Sequence, residues 1–400
     1  MRKILFAALL ALTTGPALAA DLKFVESVPE DTVYGSSLAA KPLAVWPEMI
    51  NSAGQTLDIE QFYIASKEGE GMDQMLDAIK ARVLDGVKVR LIVDSVMMKE
   101  TEKSLPGLKA AGVQVRVIDF KKAGGGVQHA KFFIVDGREV FVGSQNFDWR
   151  SLRHIHEVGV RIGSYKAASD FKRIFEADWA LAGGADPKMV FDAKAAQGVP
   201  PSKPEKGQLN YNDVSYYLAF SPVGAVPAGL ALELPELLKM INNAKKTLHG
   251  QVMTYALEEH GSKRWTQLDD ALRRAAARGV KVSLVFADWA MGGKADKDIK
   301  SLAKVPNISI KISSIPEHNS GFIPYSRVEH CKYLVADGNL AYVTTSNWGP
   351  GYFLTSRGAA VFIKGARAAY ALEQIFKAAW DGPYTQLVDQ LKSYQPVKRN

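Results

Sequence analysis

Residues 129–146 read His129-Ala-Lys131-Phe-Phe-Ile-Val-Asp136-Gly-Arg-Glu-Val-Phe-Val-Gly143-Ser144-Gln-Asn146, and residues 330–347 read His330-Cys-Lys332-Tyr-Leu-Val-Ala-Asp337-Gly-Asn-Leu-Ala-Tyr-Val-Thr344-Thr345-Ser-Asn347. His and Asn are 17 positions apart in both. Side chains alternate along a strand, so His129 and Lys131 share a face, as do His330 and Lys332. Asp136-Gly137 and Asp337-Gly338 lie between apolar runs, which marks a tight hairpin. The returning strand ends at Gly143-Ser144 or Thr344-Thr345, beside the start of the first. Each copy thus presents an imidazole, an ammonium, a hydroxyl and a carboxamide at one end of a hairpin. That is half of a phosphate site. Asp136 and Asp337 suit the turn fully and are assigned to structure. Ser144 and Thr345 either touch phosphate or cap the strand end.

Two such halves around one anion make chemical sense. Phosphodiester cleavage needs a nucleophile, a proton for the leaving alkoxide, and charge on the phosphoryl oxygens. A neutral imidazole can attack phosphorus and give a phosphohistidine. A second, protonated imidazole can donate to the leaving oxygen and then activate water. The spacing gives the pair His129 and His330 without their order. Lys131, Lys332, Asn146 and Asn347 would hold the non-bridging oxygens. General acid catalysis supplies roughly 10²–10⁴-fold, and slow hydrolyses are accelerated about 10¹⁷-fold or more. Covalent chemistry and fixed charge must supply the rest.

The repeat extends outward from these stretches. Thr56-Leu57-Asp58-Ile59 faces Thr247-Leu248-His249-Gly250. Helix-like segments over 72–84 and 265–277 each lead to a Gly-Val-Lys-Val that opens an apolar strand. Strands over 113–118 and 308–312 follow. Each half closes on a helix carrying Ile174-Phe175…Trp179 or Ile375-Phe376…Trp380, at the same offset of 201 as His129 and His330. Alternating strands and helices predict an α/β fold in two copies. The expected division is 20–184 and 209–400, with a Pro-, Gly- and Lys-rich linker over 185–208 that includes Pro200-Pro201-Ser202.

Residues 1–19 differ in kind. Arg2-Lys3, an apolar run over 4–12 and Ala17-Leu18-Ala19 read as a signal peptide for export, to a periplasm or outside the cell. No later stretch is long and apolar enough to span a bilayer. Without Arg2 and Lys3, 48 Lys and Arg against 42 Asp and Glu leave a charge of +6, which suits a polyanionic partner. The lone cysteine, Cys331, excludes an internal disulfide and a cysteine zinc site. His154 and His156 are read as surface or packing residues. No carboxylate cluster surrounds the motifs, so neither metal nor cofactor is assigned to the reacting centre.

His-x-Lys-x4-Asp followed by Gly-Ser-x-Asn resembles the signature of the phospholipase D superfamily. Asp148-Trp149-Arg150-Ser151-Leu152, Ile323-Pro324-Tyr325-Ser326-Arg327-Val328 and Ser346-Asn347-Trp348 look most like its endolysosomal branch, whose members degrade single-stranded nucleic acid from the 5′ end. The resemblance implies a duplicated phospholipase D fold: two pseudo-twofold-related α/β sandwich halves with the active site between them. It implies a metal-free mechanism, with His129 as nucleophile and His330 as general acid. It also places a supporting carboxylate 28 residues after the first motif histidine, at Glu157. Around Thr355-Ser356-Arg357-Gly358 the second half has no acid.

Three functions are compatible with these residues. They are an exonuclease-like phosphodiesterase on single-stranded nucleic acid, a phospholipase D acting on phospholipid headgroups, and a weakened protein that binds polyanions or membranes. Both half-sites lie in one chain, so no obligate protein partner is implied.

Overall fold

The hairpin strands Phe132–Val135 and Glu139–Gly143 are buried at every position. Strands covered on both faces lose the apolar–polar alternation of a one-sided sheet. The computed structural model describes residues 20–191, 203–210, 212–258 and 263–400. The expected signal peptide over 1–19 and Pro200-Pro201-Ser202 lie outside them.

The first half contains β1 (Ala20–Ser27), α1 (Pro42–Asn51), β2 (Thr56–Gln61), α2 (Gly71–Leu84), β3 (Lys88–Asp94) and β4 (Gln114–Ile118). It continues with β5 (Phe132–Val135), β6 (Glu139–Gly143), β7 (Glu157–Gly163) and α3 (Tyr165–Ala182). The strand order is β4-β3-β2-β5-β6-β7-β1. β2, β3 and β4 are parallel, and the remaining pairs are antiparallel. After β8 (Glu205–Leu209), the second half repeats the plan with β9 (Asn212–Ser221), α4 (Glu233–Asn243), β10 (Thr247–Val252), α5 (Gln267–Ala277) and β11 (Lys281–Ala287). It ends with β12 (Ile308–Ser313), β13 (Lys332–Ala336), β14 (Leu340–Thr344), β15 (Gly358–Lys364) and α6 (Ala366–Trp380). Its order, β12-β11-β10-β13-β14-β15-β9, matches that of the first half.

The end of the expected linker is a correction. β8 pairs in parallel with β1 and antiparallel with β9, so it joins the two half-sheets into one ladder. Charged residues at its exposed positions disguise it in the sequence.

Three cores result. Trp46, Met49, Met72 and Met75 of α1 and α2 cover the outer face of the first sheet. Leu237, Ile241, Leu268 and Leu272 of α4 and α5 cover the outer face of the second. Between the halves, Val140, Val158 and Val160 share a core with Val335, Val343 and Val361, completed by Phe171 of α3 and Phe376 of α6. Apolar burial between the halves therefore fixes how they meet.

Backbone pairing fixes the register. Gln128 bridges to Arg357 and His156 bridges to Glu329. The amide of His129 donates to the Arg357 carbonyl at 3.0 Å, and that of His330 donates to the His156 carbonyl at 2.8 Å. Each motif thus enters its site hydrogen-bonded to the other half. Gly124 and Gly126, just before the first motif, lie so close to Thr355 and Ser356 that a Cβ would collide with them.

The Asp-Gly turns have the expected form. Asp136 and Gly137 have φ of 50° and 61°, and Asp337 and Gly338 have 53° and 61°. The Asp136 carboxylate accepts the amides of Gly54, Gln55 and Thr56 at 2.8–2.9 Å. That of Asp337 accepts those of Lys245, Lys246 and Thr247. These bonds outweigh burial and hold both carboxyls below the usual range. Stability from such a depressed pair is present above the unfolded pKa and is lost as pH falls through the folded one. Asp136→Ala is expected to cost about 1–3 kcal/mol in urea denaturation, with a smaller difference in acid. Unchanged stability with lost turnover would place Asp136 in the chemistry instead.

Candidate active site

β5 and β13 each start where chain from the opposite half abuts, so the residues before them gather at the seam. His129, Asn146, His330 and Asn347 line one cavity of about 390 Å³. His129, Asn146 and Asn347 are buried, while the His330 side chain keeps 12% of its surface exposed. Lys131 and Lys332 are wholly buried. The Lys131 ammonium donates to the His129 carbonyl, and that of Lys332 donates to the His330 carbonyl at 2.9 Å. The carboxamide oxygens of Asn146 and Asn347 have no hydrogen-bond partner among the described residues.

Glu157 requires a correction. It is expected to support the histidine of its own half, but its Oε1 meets Nδ1 of His330. The cause is the cross-half pairing: His156 bridges to Glu329, which sets the next residues, Glu157 and His330, side by side. By the same symmetry His129 faces the glycine at 358. The half-site without the matching carboxylate is therefore that of His129, and its Nδ1 has no hydrogen-bond partner among the described residues. The missing second-half acid affects the opposite histidine from the one the sequence suggested.

Ser144 and Thr345 are the second correction. Their hydroxyls accept the amides of Val158 at 3.2 Å and Ala359 at 3.0 Å, and neither lines the cavity. They hold strand ends together, and the expected phosphate contact is withdrawn for both.

His156 is buried, not at the surface. Its ring nitrogens face Glu329 at 2.8 Å and Glu26 at 3.1 Å, and Tyr34 stacks on it at 4.5 Å. Burial opposes charge there, but Cys331, Glu329 and Glu26 prevail and raise its pKa well above the ordinary value.

Burial is the first cause of every shift at the reacting groups, and it favours their neutral forms. It lowers His129 well below its ordinary value, with Lys131, Lys332 and His330 adding repulsion. It lowers His330 likewise, aided by Lys332 and Lys131. Lys131 is pushed well down by burial and Lys332. Burial takes Lys332 to about 7 against the pull of Glu157, and takes Glu157 up to about 8 against the pull of Lys332. Burial therefore holds Glu157, Lys332 and His330 toward their neutral forms. An arriving phosphodiester anion would supply the charge that the lysines lack and restore their ammonium forms.

Most of the cavity rim is not marked in the sequence. Phe62, Tyr63, Met97, Met253, Trp289, Tyr325 and Tyr352 come from loops and short helical turns scattered along both halves. Phe62 and Tyr352 flank His129, with ring centroids 5.0 and 4.9 Å away.

Comparison with known proteins agrees with this duplication. The family described as "Cardiolipin synthase, PLD-like domain" matches twice, over residues 47–179 and 237–380. The chain is 32% identical over 405 residues to the 5′-3′ exonuclease PLD3 of Bos taurus, covering 91% of this chain and 80% of that one. It is 29% identical over 411 residues to the 5′-3′ exonuclease PLD4 of Mus musculus, covering 92% and 80%. The crystal structure of phosphatidylserine synthase from Haemophilus influenzae superposes with a TM-score of 0.60 at 12% identity, over 86% of this chain and 85% of that one, a likeness of fold alone. With each family match spanning one of the two His-x-Lys hairpins, the chain belongs to the phospholipase D superfamily.

Proposed function

We propose that the protein is a phosphodiesterase that hydrolyses single-stranded nucleic acid from its 5′ end, through a covalent phosphohistidine and without a metal at the reacting centre. The observation that carries this reading is the meeting of His129, Asn146, His330 and Asn347 in one cavity with an aromatic rim, with Lys131 and Lys332 buried against the carbonyls of the two histidines. Stacking of a base on an aromatic ring contributes about 1–3 kcal/mol, and Phe62, Tyr63, Trp289, Tyr325 and Tyr352 offer such faces beside the two imidazoles. The relatives named as 5′-3′ exonucleases support the same substrate. Among the described residues the groups able to hold a metal are Glu30, His154 and His318, and His156, Glu329 and Cys331, and neither group includes His129 or His330.

His129 is the nucleophile in this reading. It has no carboxylate partner, and burial with two nearby lysines keeps it neutral. Its nitrogen forms the bond to phosphorus while the bond to the leaving oxygen breaks. His330, which Glu157 favours in its protonated form, gives its proton to that oxygen. It then takes a proton from water, which attacks the phosphohistidine, releases the product and frees His129. Lys131, Lys332, Asn146 and Asn347 hold the non-bridging oxygens. Export fits the proposal, since residues 1–19 read as a signal peptide. No helix among the described residues is long and apolar enough to cross a membrane.

The deciding experiment gives the mature protein and excess chelator, at 25 °C, a 3′-labelled single-stranded oligonucleotide and, separately, phosphatidylcholine vesicles. Stepwise shortening from the 5′ end is expected. Turnover of lipid but not oligonucleotide would overturn the substrate assignment in favour of a phospholipase D. Binding without turnover of either would point to the weakened protein.

Glu157→Gln offers a separate check. It removes a carboxyl whose ionised form favours protonated His330, so the alkaline limb of kcat/KM is expected to move to lower pH. A general acid works only while protonated, so the sign is fixed. A lowered plateau with an unmoved alkaline limb would show that Glu157 does not act through His330.

A further inference from the structure

Beside the rim lies a cluster that the proposed reaction does not use. Glu30, in the loop after β1, His154, at the end of the short helix Trp149–Arg153, and His318, from the second half, place ligand atoms within 4.8 Å of one another. Nε2 of His318 is 3.8 Å from Glu30 Oε2 and 3.2 Å from Asp31 Oδ2. Ligands about 2.0–2.2 Å from a tetrahedral zinc ion are roughly 3.3–3.6 Å from one another, and these two gaps lie on either side of that range, within a small side-chain adjustment of a coordination sphere.

His154 supplies the independent observation. It is only 4% exposed, and its Nδ1 has no hydrogen-bond partner. A buried polar atom without a partner carries a cost of about 1–3 kcal/mol, and a metal ion would remove it. His318 is oriented by Ser320, whose amide donates to its Nδ1 at 3.2 Å, which leaves Nε2 directed at the carboxylates. Arg153 holds the other oxygen of Glu30 at 2.7 Å. Two imidazoles and carboxylate oxygens are a borderline donor set that suits zinc better than calcium or magnesium.

We propose that Glu30, His154 and His318, with Asp31 at the rim, bind one zinc ion that staples the two halves together beside the active site. The staple would fix the segment that carries Tyr325 and Val328, which line the cavity, because the amide of Arg327 donates to the His154 carbonyl at 2.8 Å. The role is structural and does not depend on which substrate the enzyme takes. It replaces the surface or packing role read for His154 from the sequence.

The test loads the full mature protein with zinc, removes excess, and measures bound metal by elemental analysis. Cobalt loading and thermal melting complete the set. One zinc per chain is expected, with a tetrahedral cobalt spectrum and a melting temperature that falls on chelation. His154→Ala and His318→Ala should lose at least nine-tenths of the metal and melt alike with and without chelator. Should His154→Ala fail to fold, the partly exposed His318→Ala and Glu30→Gln carry the test. Wild-type protein binding less than a tenth of an equivalent would overturn the site, as would undiminished metal in His318→Ala. Cleavage that chelator abolishes with no fall in melting temperature would also overturn the structural role, and it would place a metal at the reacting centre instead.

Discussion

His129→Ala is expected to lose turnover by about 10⁴-fold or more on every phosphodiester, whereas the loss in His330→Ala should depend on the leaving group. On a nucleotide linkage the departing alkoxide needs a proton, and removing the group that gives it costs roughly 10²–10⁴-fold. On a p-nitrophenyl ester of a nucleotide the leaving phenolate is stable without one. There His330→Ala should form the phosphohistidine at nearly the wild-type rate, releasing a burst of nitrophenolate, and then stall because no base activates water. His129→Ala should give no burst. The roles follow from an asymmetry in the site: Glu157 touches His330, and Nδ1 of His129 has no hydrogen-bond partner among the described residues. A burst from His129→Ala and none from His330→Ala would reverse the assignment and make the Glu157-supported imidazole the nucleophile.

That asymmetry also shows where the sequence stops being informative. Local rules located the hairpins, because Asp136-Gly137 and Asp337-Gly338 need no distant partner to adopt positive φ. Periodicity and the repeat located both half-sheets. They did not show which half supports which histidine, since that depends on bridges between residues more than 170 positions apart, His156 to Glu329 and Gln128 to Arg357. A carboxylate 28 residues after His129 reads as its neighbour along the chain, yet serves the other motif in space. Ser144 and Thr345 failed for a related reason. A hydroxyl at a strand end can reach a ligand or an adjacent amide, and only the position of Val158 and Ala359 decides. The rim residues Phe62, Trp289 and Tyr325 belong to loops and a short helical turn whose meeting is purely tertiary.

The second large effect lies at that same seam. Arg357 is wholly buried, and its guanidinium is held by Asp178 of α3 through two bonds of 2.7 Å and by the Ser221 carbonyl at 2.9 Å. Its own carbonyl accepts the amide of His129 at 3.0 Å. Asp178→Ala strands a buried cation, and breaking such a pair from one side costs about 3–5 kcal/mol. The expected result is a large fall in the urea midpoint, with loss of turnover in the folded fraction as the backbone that positions His129 shifts. Glu60 moderates the cost. Burial and then Asp178 hold its carboxyl well above the usual range, and Gln128 donates to it at 3.0 Å. With Asp178 gone, Glu60 can ionise toward Arg357, so Asp178→Ala should sit near the lower end and Asp178→Ala with Glu60→Gln near the upper. Replacing the pair together, Asp178→Leu with Arg357→Met, removes both charges and should recover most of the stability. It should not recover all of the turnover if the ion pair also sets the register of Gln128 against Arg357. A fall of less than about 1 kcal/mol in Asp178→Ala, the range of an exposed pair, would show that the seam is held by apolar packing alone.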